Sequence, residues 1–278
     1  MTRIMNRYKS LTALLCAAAI VGCEKIGPQD ITGPLPSARI KFFNFGVNTP
    51  AVNFYANTTK FTAISAVTCT PTPSDTMLAR ICREGGREGT TGVGQGGAAA
   101  GGFYAAIDPG IYDLTGKIAA TTDKDLAVAT VPATIADGKS YSYFMSGIYN
   151  TTAKTVDAFM VEDPVPAAFD YTGALVRFVN AISNSSPMTL YALNPTTAVE
   201  VAVGGAVAYK SAGDFTLIPA ASYTLNTRVT GSSTNAIQRT AVNFVAGRVY
   251  TITARGDITV STAGTSANRP QLDNTTNR

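Results

Sequence analysis

Two ten-residue stretches of this chain carry the same pattern, and they restrict its fold more than any other feature. Residues 138–147 read Gly-Lys-Ser-Tyr-Ser-Tyr-Phe-Met-Ser-Gly, and residues 247–256 read Gly-Arg-Val-Tyr-Thr-Ile-Thr-Ala-Arg-Gly. Each opens with glycine and a cation, has tyrosine at its fourth position and closes with glycine. Between the glycines, strand-forming residues alternate with period two, which predicts a β-strand in both stretches. The chain is therefore predicted to contain one all-strand unit twice.

Further anchors extend the repeat in both directions. Asn44 and Tyr55 are spaced like Asn180 and Tyr191, and Tyr112 follows a corner much as Tyr223 does. The offset between the copies is larger at the start of the unit than at its end. The first copy therefore holds roughly 25 additional residues, all placed between its second strand and Phe103.

The anchors of the repeat resemble a bacterial family, domain-of-unknown-function family 4397. The motifs that carry the resemblance are Pro-Ala-Val-Asn-Phe-Tyr at 50–55, Pro-Gly-Ile-Tyr at 109–112 and Gly-Arg-Val-Tyr-Thr at 247–251. The resemblance covers about residues 38–163 and 174–260, although Ala220 and Ala221 replace Pro-Gly in the second copy. It implies a secreted or lipid-anchored β-sandwich and no established activity.

The pattern predicts an all-β chain with two tandem antiparallel, immunoglobulin-like β-sandwich domains. The first domain is expected at 37–163, with a Cys- and Gly-rich insertion at 58–102, and the second at 174–262. A proline-containing linker, 164–173, is predicted to join them. Residues 263–278 are small and polar, so we expect a disordered tail.

The N-terminal segment is predicted to be a cleaved signal peptide over residues 1–22. Arg3, Arg7 and Lys9 precede a short apolar run that is shorter than the roughly 20 residues of a membrane-spanning helix. The run ends in Ile-Val-Gly-Cys at 20–23, which resembles a bacterial lipobox and makes the Cys23 thiol the expected site of lipid attachment. The alternative is an ordinary secretory signal cut after an alanine within 17–19.

The residues that follow Cys23 agree with the prediction of a lipid-anchored protein. Glycine and proline dipeptides in 23–36 predict a flexible tether between the membrane and the folded chain. Glu24 occupies the position where aspartate is associated with retention in the inner membrane, which favours the outer membrane or the cell surface.

The charge of the expected mature chain argues against nucleic acid as a partner. Of 22 cations and 18 anions, three cations and no anions lie in residues 1–22, which leaves 19 against 18. The remaining sequence has no basic tract that would neutralise a phosphate backbone.

The insertion at 58–102 contains Cys69 and Cys82, which we expect to form a disulfide in an exported chain. A zinc site is the weaker alternative because the chain has no histidine to add to the ligand set. The glycine-rich run that follows includes Gly-Val-Gly-Gln-Gly-Gly at 92–97. It lacks the strand, helix and lysine context of a phosphate-binding loop, so a flexible insertion without a cofactor is expected.

Catalytic residues are not predicted. The absence of histidine removes Ser-His and Cys-His nucleophile activation and the commonest general acid–base. Paired carboxylates remain as the basis of a hydrolase alternative. The available residues are Asp108, Asp113, Asp123, Asp125, Glu162 and Asp163. Calcium binding at 123–125 is an alternative that the intervening Lys124 disfavours.

Most of the tyrosines and phenylalanines fall at strand positions that face a core. Tyr112 and Tyr223 follow a corner, where we expect each hydroxyl to close the turn. Tyr104, Tyr149 and Tyr171 lie nearer strand ends and linkers, so we expect them to be exposed and available to stack on a sugar or a partner.

These observations predict a non-enzymatic, lipid-anchored protein of the cell envelope with a binding or structural role. The alternatives are a carbohydrate-binding or adhesion module, with a glycan or an envelope protein as partner, and a carboxylate-dependent hydrolase.

Overall fold

A computed structural model describes residues 36–62 and 92–278, and these residues are built almost entirely from strands. The predicted all-β sandwich fold is confirmed. The predicted signal peptide, Cys23, nearly all of the tether, and the Cys69 and Cys82 pair lie outside the described residues.

Eighteen strands and one short 3₁₀ helix, Ala99–Gly102, are present in this part of the chain. Nine strands form the N-terminal half: β1 (Ala38–Asn44), β2 (Val52–Ala56), β3 (Thr59–Lys60), β4 (Gly97–Ala98), β5 (Ala105–Ile107), β6 (Gly110–Ile118), β7 (Ala127–Ile135), β8 (Ser140–Asn150) and β9 (Thr155–Glu162). Nine form the C-terminal half: β10 (Gly173–Asn180), β11 (Met188–Leu193), β12 (Glu200–Val207), β13 (Ser211–Ala212), β14 (Thr216–Pro219), β15 (Ala221–Val229), β16 (Asn235–Phe244), β17 (Val249–Arg255) and β18 (Gln271–Thr276).

The order of strands in the sheets of the N-terminal half recurs in the C-terminal half. The sheet β4-β1-β8-β9, with β5 also paired to β1, corresponds to β13-β10-β17-β18, with β14 also paired to β10. The sheet β3-β2-β6-β7 corresponds to β12-β11-β15-β16. Pairing is antiparallel except that β8 runs parallel to β1 and β17 parallel to β10, and the sequence did not predict this exception.

Each half has an apolar core between its two sheets. In the N-terminal half, Ile40 and Phe42 of β1 pack in the same cluster as Phe54 of β2. In the C-terminal half, Val176 and Phe178 of β10 pack in a second cluster that spans its two sheets. Burial of a large apolar side chain contributes about 1.5–3 kcal/mol, so these alternating positions stabilise the sandwiches.

The opposite faces of β1 and β10 are buried as well. Phe43, Phe144 and Phe159 of the N-terminal half pack in one cluster with Val179 and Ala181 of the C-terminal half. Every residue of β10 is buried, as expected for a strand that is covered on both sides. The two halves therefore meet through these sheets, and residues Pro36–Arg278 form one compact unit. The division into two domains at 164–173 stays a prediction.

The polar anchors of the repeat have the same structural roles in both halves. The Nδ2 atom of Asn44 donates to the carbonyl of Val93 at 2.9 Å, and that of Asn180 donates to the carbonyl of Val207 at 3.2 Å. Both asparagines are fully buried where a strand ends. Each bond therefore links the buried end of a strand to the backbone of a neighbouring segment.

The predicted tyrosine corners are confirmed. The Tyr112 hydroxyl donates to the carbonyl of Asp108 at 2.9 Å, and the Tyr223 hydroxyl donates to the carbonyl of Pro219 at 2.8 Å. The second corner therefore has the same hydroxyl bond although its sequence lacks Pro-Gly.

The prediction of a disordered tail over 263–278 is wrong. The strand β18 pairs antiparallel with β17, from Tyr250 opposite Thr276 to Arg255 opposite Gln271. The side chain of Leu272 is 3% exposed and belongs to the core of the C-terminal half. The polar composition of these residues does not indicate a strand, because β18 is stabilised by its hydrogen bonds to β17.

The described part of the glycine-rich insertion is not a free loop. Val93 exchanges backbone hydrogen bonds with Val52, and the Gly96 N–H donates to the carbonyl of Asn44 at 2.7 Å. Residues 97–98 then pair with β1. The expectation of a flexible insertion is therefore wrong for residues 92–102.

Candidate functional site

Three charged side chains are buried where the two halves meet. Lys41 lies in β1, Arg177 lies in β10, and Asp163 directly follows β9. Lys41 and Arg177 are each 1% exposed and Asp163 is 3% exposed. We refer to these three residues as the buried charge cluster. Isolated charges are very costly to bury, so their partners decide whether the arrangement is stable.

Asp163 is the anionic centre of the buried charge cluster. Its Oδ1 atom accepts a hydrogen bond from Nη2 of Arg177. Its Oδ2 atom accepts from the hydroxyls of Tyr104 at 2.6 Å and Ser142 at 2.7 Å. Both oxygens of this carboxylate are therefore occupied by protein donors, and charged acceptors make such bonds short and strong.

Arg177 directs its remaining donors at neutral groups. Its Nε atom donates to Oγ1 of Thr251 at 3.0 Å, and its Nη1 atom donates to the carbonyl of Glu162 at 2.9 Å. The guanidinium carbon lies 4.9 Å from the centroid of the Phe215 ring. A rigid guanidinium fork suits this set of partners better than a lysine would.

Lys41 connects the N-terminal half to β18. Its Nζ atom donates to the carbonyl of Thr276 at 2.6 Å and to Oδ1 of Asn277 at 3.3 Å. The ammonium group lies 4.1 Å from the centroid of the Tyr104 ring, a cation–π distance.

Burial changes the acidity of two members of this network. Loss of water lowers the pKa of Lys41 to about 8, while the charge of Asp163 raises it and that of Arg177 lowers it. Burial also raises the pKa of Tyr104, and the charge and hydrogen bond of Asp163 raise it further. Tyr104 therefore stays protonated and remains a donor to Asp163 at neutral pH.

A shallow cleft of about 360 Å³ lies beside Asp163. It is lined by Gly138, Lys139, Ser140, Glu162, Asp163, Pro164 and Val165. Lys139 and Glu162 form an exposed ion pair of 2.8 Å there. Perturbed groups in a cleft are candidates for catalysis, but Lys41 is enclosed and both Asp163 oxygens are engaged.

The structure separates the three tyrosines that were predicted to be exposed. Tyr104 is largely covered and bonded to Asp163, and Tyr149 packs against the core of the N-terminal half, so the prediction is wrong for both. Tyr171 is 51% exposed, as predicted. Tyr104 was misassigned because its partner lies 59 residues away in sequence.

Tyr171 belongs to a small aromatic surface next to a second cleft. Its ring centroid lies 4.8 Å from that of Phe169. The cleft, of about 230 Å³, is lined by Asp170, Thr172, Gly173, Leu217, Ile218 and Pro219. The backbone N–H and the hydroxyl of Thr172 donate to Asp170 and lower the pKa of that carboxyl.

Comparison with protein-family models and with curated proteins finds no match to this chain.

The remaining predicted carboxylates, Asp108, Asp113, Asp123, Asp125 and Glu162, are exposed at the surface. Asp123 forms an ion pair with Lys154, and Glu162 pairs with Lys139. Within residues 36–62 and 92–278, no three Asp, Glu or Cys side chains are grouped closely enough to hold a metal ion. Over the same residues, no helix is long and apolar enough to cross a membrane.

Sequence reasoning missed the buried charge cluster, although one signal was present. Lys41 precedes Asn44 by three residues, and Arg177 precedes Asn180 by three residues, each inside an apolar strand. A cation repeated at the same position of two largely apolar strands indicates a buried partner.

Proposed function

We propose that the protein is a non-enzymatic, lipid-anchored protein of the bacterial cell envelope with a binding or structural role. The observation that carries this proposal is the Ile-Val-Gly-Cys sequence at 20–23, behind a basic head and a short apolar run. Lipid attached to Cys23 would hold the folded residues at the membrane, because each buried CH₂ contributes about 0.8 kcal/mol to anchoring. The outer membrane or the cell surface is the proposed location.

The buried charge cluster supports a structural role. Its three side chains are almost fully buried where the halves meet, and each forms hydrogen bonds with protein groups. Such a network favours one arrangement of the halves, which suits a protein that presents surfaces at a distance from the membrane.

The hydrolase alternative has less support than the binding role. Retaining and inverting glycosidases need two carboxyl groups that face a substrate. Glu162 and Asp163 are the closest pair in sequence, but Asp163 is occupied by Arg177, Tyr104 and Ser142.

Carbohydrate binding is the second candidate function, and Tyr171 favours it. An exposed tyrosine next to Phe169 offers an apolar face for a sugar ring, and Asp170 and Thr172 in the adjacent, largely apolar cleft offer polar groups for its hydroxyls. A glycan array probed with the full chain and with Tyr171→Ala tests this role. Signals that disappear in the variant would support it, and a blank array or unchanged signals would contradict it. Tyr149→Phe is the control, because its ring packs against the core.

Lipid attachment is tested by growing cells that express the full chain with a radiolabelled fatty acid. We expect label in the wild-type protein and none in Cys23→Ala. Cys16→Ala is the matched control, because Cys16 lies inside the predicted signal peptide and should not change labelling. A mature protein that still begins at Met1, or one cut after Ala17, Ala18 or Ala19, would contradict the proposal.

A further inference from the structure

One connection is much longer in the C-terminal half than in the N-terminal half. Residues 151–154 join β8 to β9, whereas residues 256–270 join the equivalent strands β17 and β18. We refer to residues 256–270 as the long connection. Hydrogen bonds within its own backbone stabilise it. The Asp257 N–H donates to the carbonyl of Asn268 at 2.8 Å, and the Arg269 N–H donates to the carbonyl of Ser266 at 3.2 Å.

Gly256 allows the two ends of the long connection to approach each other. Its φ of +108° lies in a region that other residues rarely adopt, and a Cβ atom there would be 2.4 Å from the carbonyl oxygen of Arg269. Contacts with the N-terminal half add support, because Nδ2 of Asn268 donates to Oδ1 of Asn48 at 2.8 Å. The long connection is therefore held in place at several points.

The long connection forms one wall of a cleft of about 430 Å³. The other walls are β16 and the beginning of β18. Most of its lining is polar and includes the side chains of Gln238, Arg239, Thr262, Arg269, Gln271 and Asp273. The cleft lies at the open edge of the C-terminal sandwich, where Nη1 of Arg239 in β16 reaches the carbonyl of Leu272 in β18.

The balance of charge in this cleft is positive. Arg239 donates to the carbonyl of Leu272 at 2.7 Å, and Arg269 donates to the carbonyl of Ser266 at 3.2 Å. Asp273 is paired with Arg255. Among the residues that the structure describes, neither Arg239 nor Arg269 has a carboxylate partner. Guanidinium groups bind planar oxyanions through paired hydrogen bonds, so two of them in one cleft favour an anionic ligand.

Neutral hydrogen-bonding groups accompany the two cations. Oε1 of Gln271 accepts from Arg255 at 3.3 Å, and Nε2 of Gln238 donates to Asn226 at 3.0 Å, which leaves other atoms of both amides for a ligand. Thr262 adds a hydroxyl on the long connection. Amide and hydroxyl groups beside a cation match a ligand that carries hydroxyls next to an acidic group.

We propose that this cleft binds an acidic sugar of a glycan, with Arg239 and Arg269 holding its carboxylate. This inference deepens the proposed binding function and rests on it for the nature of the ligand. It does not depend on Tyr171, whose cleft is lined by other residues, or on the anchor at Cys23.

The test is calorimetric titration of the detergent-solubilised full chain with trigalacturonate. The methyl-esterified trimer, which lacks the charge, and inorganic phosphate are titrated separately. The variants are Arg239→Gln and Arg269→Gln, and Arg228→Gln is the control because its guanidinium is already paired with Glu200 at 2.7 Å outside the cleft. Circular dichroism shows whether each variant is folded. If Arg239→Gln is unfolded, Arg239→Lys replaces it in the titration.

We expect the acid to bind and its methyl ester to bind at least about tenfold more weakly, since a bond to a charged group contributes about 1.5–3 kcal/mol. Each cleft variant should lose a similar factor, and Arg228→Gln should bind like wild type. Equal binding of acid and ester, no binding of the acid, or phosphate binding as tightly as the acid would overturn the proposal. The fatty-acid labelling experiment tests the anchor at Cys23 separately. A failure of the anchor and a failure of this cleft to bind the acid are therefore distinguishable.

Discussion

Lys41 and Arg177 occupy equivalent positions in β1 and β10, and both side chains are buried where the sheets of the two halves meet. Each precedes a buried asparagine by three residues, and each lies opposite a hydroxyl residue in a parallel pairing, Ser142 for Lys41 and Thr251 for Arg177. Asp163 lies between them in the network, bonded to Arg177 and near Lys41. The equivalent positions of the repeat thus place two cations, Lys41 and Arg177, near the single carboxylate of Asp163.

Removal of that carboxylate should destabilise the protein strongly. Asp163→Ala leaves Arg177 buried without its anion, and breaking a buried pair in this way costs about 3–5 kcal/mol. The free energy of unfolding from urea titration measures the loss. Asp157→Ala is the control, because Asp157 pairs with Lys210 at the exposed surface, where such pairs contribute about 0–1 kcal/mol. Equal losses in the two variants would contradict this account of the cluster.

The lowered pKa of Lys41 predicts that stability rises with pH in the alkaline range. Between pH 8 and 9.5 the folded protein releases the Lys41 proton, whereas the unfolded chain keeps it until about pH 10.5. The unfolded state then binds more protons, so the free energy of unfolding should increase, by about 1 kcal/mol. The raised pKa values of Tyr104, Tyr143, Tyr209 and Tyr223 have the opposite effect, which grows mainly above about pH 9.5 as tyrosines ionise in the unfolded chain.

Urea titrations at several pH values between 7.5 and 9.5 measure this rise. Lys41→Met should abolish it, and Lys210→Met, which removes an exposed ammonium, should retain it. A flat profile for the wild-type protein would show that Lys41 is not desolvated as described.

The two tyrosine corners should contribute unequally to stability. Tyr223→Phe removes a hydroxyl bond at a residue that is 2% exposed, and we expect a loss of about 1 kcal/mol. Tyr112→Phe should lose less, because water reaches this more exposed residue. Thermal denaturation of both variants measures the difference, with Tyr149→Phe as the reference. A larger effect at Tyr112 would reverse the expected order.

The C-terminal strand should be essential for the fold of the C-terminal half. Leu272→Ala should cost about 2–5 kcal/mol, as expected for a buried leucine, whereas Val199→Ala, at 55% exposed, should cost little. Removal of residues 271–278 should lower the unfolding midpoint further, since it also removes the acceptors of Lys41. Urea titration measures all three changes. Wild-type stability after truncation would restore the original expectation of a disordered tail.

Cys69 and Cys82 are predicted to be disulfide-bonded in the exported protein. Labelling of the unfolded, unreduced protein with a thiol reagent should therefore modify neither residue, and labelling after reduction should modify both. A 14-residue loop of this kind contributes about 3 kcal/mol, so reduction should lower the unfolding midpoint. Two reactive thiols before reduction would show that the bridge is absent.

Local patterns in the sequence predicted the strand class, the repeat and the tyrosine corners, because each depends on residues close together in the chain. The parallel pairing of β1 with β8 and the contact between halves depend on residues far apart, and local alternation does not encode them. For this reason Tyr104 was wrongly predicted to be exposed, and the buried role of Lys41 was not predicted. The repeat itself predicts β18, since β9 has the equivalent place, but only Leu272 gives that strand an apolar signal.

The bond from Lys41 to Thr276 has a consequence for how the chain acquires its structure. These residues are 235 positions apart, and Lys41 belongs to the first strand whereas Thr276 ends the eighteenth. During synthesis the early strands are made first, and they stay partly uncovered until the last strand is available. Closure through such distant segments is slow. Until the C-terminal half is made, Phe43 and Phe144 also lack Val179 and Ala181, which cover them in the folded protein.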